Sequence, residues 1–521
     1  MTSSSVAVAP EVVTRDFGGG ALTRAALEGT VPDGWYLPPL RSSDAWRDAA
    51  ATVQREFAGR QWFAALRDAL QAHGHAAERL QRVVEQGGVV VTTGQQPGLF
   101  GGPLYTWSKA FSAIALADTI ERETGVPAAP VFWAATDDAD FAEASYTVVA
   151  HGAEARILRM PEPERTGASM AFTPLGDVSE LYAQLAAAAG SAMDTTPLLT
   201  ARAAYVPEQT VGGAYVTLLR TLLEPLGMAV LDASHPSVRS ASEEIVRSAL
   251  RHATDIRQAL AERSSAIEKA GYKVQVQPVP NLSLVFATAE GKRARVALKQ
   301  ATAVLESASA EEIAPNVLLR PVVERQILPT VAYVAGPAEY AYFAQVSAVA
   351  DALGMSRPRV VPRWSAMIIE PHVREILDAI GARPEDFRDP HAVEGRIARE
   401  ELPASIREGV SGLRAALRLH ADQLRATDGT GASPGKVVDG FASQVEYRID
   451  RLERRFAAAV KRAGTDRLHD VAVARASLFP NGVSQERALN MLPFLARYGT
   501  AVGDAMLSAA ATHAESLVGN G

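Results

Sequence analysis

Residues 89–109 read Val-Val-Val-Thr-Thr-Gly-Gln-Gln-Pro-Gly-Leu-Phe-Gly-Gly-Pro-Leu-Tyr-Thr-Trp-Ser-Lys: an apolar run, a glycine-rich turn and the opening of a helix. Backbone N–H groups at such a helix N-terminus can hold phosphate or carboxylate, so Thr93, Gly94 and the N–H groups after them are the first candidate binding site. An ordinary strand-to-helix connection would use the same glycines, and the turn fits neither GxGxxG nor GxxxxGK[ST]. That excludes a dehydrogenase or P-loop reading. Lys109, roughly two helical turns beyond Gly102, either offsets phosphate charge or sits at the surface. A second apolar run, 129–135, ends in Asp137, Asp138 and Asp140, which would bind Mg²⁺ or orient an amine or hydroxyl, or else cap a helix in solvent. Arg320, set among apolar neighbours, is either paired in the core or facing a ligand.

The remaining chemistry is narrowed by what the chain lacks. No G-x-S-x-G occurs and neither His151 nor His235 has a helpful neighbour, so Ser/His/Asp catalysis is rejected. The absence of HExxH and the count of 0 Cys leave no readable zinc site, no disulfide and no cysteine nucleophile. A net charge of −7 and a pI near 5.9 provide no basic field for nucleic acid or membrane. No apolar run approaches the roughly 20 residues that span a bilayer. The first residues carry no basic region, and Glu11 and Asp16 come early for a signal peptide, so a cytoplasmic protein is expected.

Elements that position these groups follow from periodicity. Helical spacing across 41–85 (Trp46, Val53, Phe57, Trp62, Phe63, Leu66, Leu70) predicts an N-terminal helical segment, 1–87, packed on the core. Uninterrupted apolar strands flanking a helix predict a parallel sheet covered on both faces, with ligands at the strands' carboxyl ends, where both Gly94 and Asp138 fall. The core is expected over 88–370, with insertions at about 145–200 and 271–300. Alternation at Val274, Val276, Leu282, Leu284, Phe286, Val296 and Leu298 predicts a small antiparallel sheet turning at Glu290-Gly291. Heptad-like steps through Ile406–Leu424 and Val445–Val460 predict an antiparallel helical hairpin within 371–470, either a lid or a dimer arm. Residues 471–521 are expected to return as helices to the core.

Taken together, Thr93-Gly94-Gln95-Gln96, Gly102-Pro103-Leu104-Tyr105-Thr106 with Lys109, Pro130-Val131-Phe132-Trp133, Asn316-Val317-Leu318-Leu319-Arg320-Pro321, Gly336-Pro337 with Glu339, and Gln485-Glu486-Arg487 resemble the BshC family, the cysteine ligases of bacillithiol biosynthesis. The resemblance implies a Rossmann-like α/β core with insertions and a coiled coil that forms a homodimer. It implies ATP-dependent joining of cysteine to glucosaminyl-malate through an acyl-adenylate, with Mg²⁺ as a possible companion of the nucleotide. Thr93, Gly94, Gln95, Gln96, Gly102 and Tyr105 would bind substrate or nucleotide, and Lys109, Asp138, Asp140 and Arg320 would serve catalysis. Two family histidines are replaced here by Ala139 and Tyr146. A relative that binds a nucleotide or metabolite without catalysis is therefore the alternative, and a structural dimer acting through its coiled coil is a third.

Overall fold

The computed structural model describes residues 9–163, 167–289, 292–389, 391–426 and 435–519. The expected turn at Glu290-Gly291 and most of the 427–435 loop lie outside the described residues. The chain forms two compact units, one of Met1–Val149, Arg156–Ile368 and Glu486–Gly521, the other of Ala150–Ala155 and Ile369–Gln485.

In the larger unit, β1 (Val89–Gln95) leads through a turn into α1 (Leu104–Thr124) and β2 (Ala128–Ala134). After α2 (Val211–Leu223) and β3 (Ala229–Asp232) come β4 (Leu282–Ala289), β5 (Lys292–Ala297) and β6 (Ile313–Pro315). Then α3 (Arg320–Ile327), β7 (Thr330–Ala335), α4 (Pro337–Ala352) and β8 (Val360–Pro362) complete the core. Five strands form one parallel sheet in the order β8-β7-β1-β2-β3. Successive strand residues face opposite sides, so burial of every residue of β2 and β7 means that both faces are covered. This is why these segments read as unbroken apolar runs rather than alternating ones.

Ahead of the sheet, helices Ser43–Phe57, Trp62–Leu70 and Gly74–Gln86 bury Trp46, Val53, Phe57, Leu66 and Leu70. The Ser42 hydroxyl accepts from the Ala45 N–H at 3.2 Å and starts the first of them. Strands β4, β5 and β6 form a separate antiparallel sheet of three, with β4 in the middle. Val274 and Val276 precede it. The Val276 backbone is instead held by the Gln345 amide, which accepts from its N–H at 3.1 Å and donates to its carbonyl at 2.7 Å. The C-terminal helix Thr500–Val518 packs along α1.

Among its described residues the smaller unit is mainly helical, and its longest helices are α5 (Ala404–Ala426) and α6 (Gly435–Ala463). These two pack side by side. Arg414 reaches Glu446, Asp450 and Glu453 at 3.1, 2.6 and 2.8 Å, tying the two helices together near their middles.

Candidate functional site

A cavity of about 490 Å³ opens at the carboxyl ends of β1, β2 and β7, lined there by Gly94, Gln95, Trp133, Ala135 and Gly336. Gly94 pairs with Trp133 in register, and both Gly94 and Asp138 face the same cavity. The position expected from the strand pattern is therefore where the space lies. Gly94 is required for a reason other than phosphate binding: a Cβ there would come within 2.8 Å of the Trp133 carbonyl oxygen.

Lys109 projects from α1 under this floor and is 3 % exposed. Its ammonium donates to the Gly94 carbonyl and to Gln95 Oε1, both at 2.8 Å, and forms an ion pair with Glu339. Glu339 also accepts from the Gly336 N–H at 2.8 Å and from the Tyr333 hydroxyl at 2.7 Å. Burial alone would push this carboxyl up, but the ammonium and these donors hold it below the ordinary glutamate value. Burial pushes the Lys109 ammonium down, with Glu339 opposing and Arg363 and Arg320 adding to it. Arg320 is paired in the core, with buried Glu324 at 2.6 Å, and it also lines the cavity. Its guanidinium lies 4.9 Å from the centre of the Tyr333 ring.

Asp138, which also lines the cavity, accepts from the Asp140 N–H at 2.9 Å. Burial raises its pKa above the usual carboxylate value, and the Asp137 charge adds to this. Asp137 is reached by Arg293 at 3.4 Å and by Arg239 at 3.6 Å. Gln95 and Gln96 line the cavity, as does Tyr105, whose hydroxyl receives a bond from the Gln95 amide at 3.2 Å.

Three expected residues lie elsewhere. Asp140 is an exposed helix cap, accepting from the Glu143 N–H at 3.1 Å, because a carboxylate at that point satisfies the first turn of Phe141–Ala144. The Thr93 side chain is buried and donates to the Val334 carbonyl at 2.8 Å, tying β1 to β7. Gly102, with φ of +73°, serves the tight turn before α1. That turn is no phosphate cradle: the Gly101 N–H donates to Gly98 at 3.0 Å, the Gly102 N–H to Leu99 at 3.2 Å and the Leu104 N–H to Leu489 at 2.8 Å.

Sequence reasoning did not assign Arg293, Arg295, Arg363, Tyr342 or Arg487, which also line the cavity. Arg363 is held by Glu486 through two bonds of 2.9 and 2.8 Å. The alternation Arg293-Ala294-Arg295 was a readable signal, since it puts two guanidinium groups on one side of a strand. Glu339 was readable too, as the third helical residue after Gly336 in a capping pattern. Neither Ala139 nor Tyr146 is among the lining residues, and the Tyr146 ring lies 4.6 Å from the Arg159 guanidinium. Among the described residues no cluster of three or more His, Cys, Asp or Glu is arranged to hold a metal, and no helix is long and apolar enough to cross a membrane.

Two family models match the chain: the N-terminal Rossmann-like domain of bacillithiol biosynthesis BshC over residues 40–364, and its C-terminal coiled-coil domain over 366–516. A protein of Solibacter usitatus named "Putative cysteine ligase BshC" is 31% identical, across 89% of this chain and 90% of its own length. A protein of Koribacter versatilis with the same name is 32% identical, across 93% and 91% respectively. One of Heliobacterium modesticaldum is 30% identical, across 83% of each. With both domain models matched in order and relatives similar along nearly their whole length, the chain belongs to the BshC family.

Proposed function

We propose that this protein is a carbon–nitrogen ligase joining the carboxyl group of cysteine to the amine of glucosaminyl-malate at the expense of ATP. The observation that carries the reading is the lining of the cavity, where six cationic side chains, Lys109, Arg293, Arg295, Arg320, Arg363 and Arg487, stand with three lining carboxylates, Asp137, Asp138 and Glu339, while Glu324 and Glu486 pair with Arg320 and Arg363. Such an excess of cations at the ends of parallel strands suits substrates bearing phosphate and carboxylate groups. ATP would supply the activation: a cysteine carboxylate oxygen bonds to the α-phosphorus as pyrophosphate leaves, then the amine bonds to the acyl carbon as AMP leaves.

Most of the protein's task is positioning and charge stabilisation. Lys109, fixed by Glu339 and the Gly94 carbonyl, and Arg320 offset phosphate charge from one side. Gln95 and Gln96 offer amide hydrogen bonds in a cavity lined by no histidine. Asp138, kept easily protonated by burial, orients the incoming ammonium and takes the proton it must lose before attack. Any Mg²⁺ would be held chiefly by phosphate oxygens, with Asp137 or Asp138 as supporting ligands. Exposed Leu413, Leu419 and Leu424 on α5 and Phe441, Tyr447 and Leu452 on α6 support a homodimer formed through the hairpin. This reading implies the cytoplasm, where ATP and reduced thiols are maintained.

The resemblance implies histidines where this chain has Ala139 and Tyr146, and that difference favours a second reading, a relative that binds these metabolites without joining them. One assay separates the two: purified protein with ATP, cysteine and glucosaminyl-malate, followed by pyrophosphate release and product mass. Release that needs both other substrates, with a cysteinyl product, supports the ligase; binding of ATP or glucosaminyl-malate without release supports the second reading.

A further inference from the structure

Four of the six cations lining the cavity stand against carboxylates of the chain itself: Lys109 with Glu339, Arg320 with Glu324, Arg363 with Glu486 and Arg293 with Asp137. Arg295 has no carboxylate partner among the described residues. Its guanidinium is half-buried and donates through Nε and Nη2 to a single neutral acceptor, the Ser283 carbonyl, at 3.0 and 2.6 Å. This fixes the plane of the group and leaves Nη1 unused. Burial pulls its pKa down, as expected of a guanidinium removed from water with no nearby anion.

Arg293 precedes it by two residues on β5, so both side chains leave the same face of the strand. Its side chain is 10 % exposed, and its Nε is buried without a hydrogen-bond partner. Among the described residues its side-chain hydrogen bonds, to Asp137 and to the Pro315 carbonyl, are both long at 3.4 Å, and Asp137 is shared with Arg239. The Phe286 ring, 4.1 Å from the guanidinium carbon, supports its flat face. Arg487 also has no carboxylate partner among the described residues, but it is exposed and water solvates it. The unmet positive charge that the fold has partly desolvated therefore lies on the wall built by the inserted sheet.

We propose that Arg295 and Arg293 form an anion subsite on this wall, separate from the Lys109 end, that receives a carboxylate or phosphate group of a substrate. The identity of that anion rests on the ligase reading: the malate carboxylates of the acceptor are one source and the nucleotide phosphates the other. Planar guanidinium groups bind either through paired hydrogen bonds.

The test is calorimetric titration of the full-length protein with glucosaminyl-malate and, separately, with ATP, for the wild type, Arg295→Met and Arg295→Lys, with thermal melts to establish folding. Arg295→Met is expected to weaken one of the two ligands by roughly tenfold or more, as for a lost charge-assisted hydrogen bond, and Arg295→Lys by less. Selective loss for glucosaminyl-malate assigns the subsite to the acceptor, and selective loss for ATP assigns it to the nucleotide. Equal affinities in all three proteins, or a wild type that binds neither ligand, overturn the subsite. If affinity falls as expected yet the wild type forms no cysteinyl product, the ligase reading fails and the subsite stands. Wild-type KM values for an active Arg295→Met enzyme give the converse.

Discussion

In the central sheet every residue of β2 is buried, whereas α5 keeps only Val410 and Ala421 from solvent and leaves Leu413, Leu419 and Leu424 exposed. The contrast extends to charge. Near β1 and β7, Lys109, Glu339, Arg320 and Glu324 are paired out of water, while the pairs of Arg414 with Asp450 and of Arg425 with Asp439 on the hairpin stand largely in it. A charge removed from water must keep its partner, since the fold depends on their mutual compensation; a solvated charge loses little when its partner goes. The sheet ends therefore combine function with fragility, and the hairpin tolerates change along its charged face.

The sharpest way to break this comparison is to separate a buried pair. Glu339→Ala is expected to leave Lys109 as a buried cation with only neutral partners, destabilise the protein by about 3–5 kcal/mol and abolish turnover; chemical denaturation and the ligase assay check it. A near-wild-type midpoint would mean that Lys109 finds water and that the site is more open than its burial indicates. Next in size is Gly94→Ala, whose methyl meets the Trp133 carbonyl of the neighbouring strand. It should cost about 1–3 kcal/mol by forcing β1 and β2 apart, read as a lower denaturation midpoint together with weaker substrate binding.

Asp138→Asn sharpens the comparison through pH. Because burial raises the folded carboxyl above its unfolded value, the folded chain binds this proton more tightly. The contribution of Asp138 to stability therefore falls as pH rises through the ordinary carboxylate value and then the raised one. The asparagine variant should melt higher than wild type at pH 7, lose that advantage as the pH is lowered through the carboxylate range, and lose most of its turnover at every pH. Equal melting temperatures at pH 7 would show Asp138 to be well solvated. The smallest effect is expected on the hairpin: Arg414→Ala removes exposed ion pairs and should cost about 1 kcal/mol or less, with KM values unchanged. A loss as large as that of Glu339→Ala would erase the distinction between the two regions.

Much of this arrangement was written in local patterns. Val89-Val90-Val91 and the run ending at Ala134 could only be buried strands between covering helices, and that alone put Gly94 and Asp138 at one edge of a parallel sheet. The helical spacing of Trp46, Val53 and Phe57, and of the two long hairpin helices, was equally local. Site membership was harder to read. Asp140 and Asp138 lie two residues apart with the same side chain and each accepts a nearby backbone N–H, yet one caps a four-residue helix in solvent and the other faces the cavity, a difference that local pattern does not contain. Thr93 and Gly102 looked like ligand contacts because strand and turn residues near a site resemble those in it, but their groups are spent on the fold.

The sequence by itself determined the sheet, the helices and the strand ends where a ligand would bind, because hydrophobic periodicity and turn chemistry act between residues a few positions apart. Only the tertiary structure decided that Lys109 meets Glu339, 230 positions along the chain, and that Arg293 meets Asp137 while Arg295 lines the same cavity. Charge pairing depends on distance in space and on exclusion of water. Neither quantity exists until the strands have assembled and the inserted sheet has folded against them.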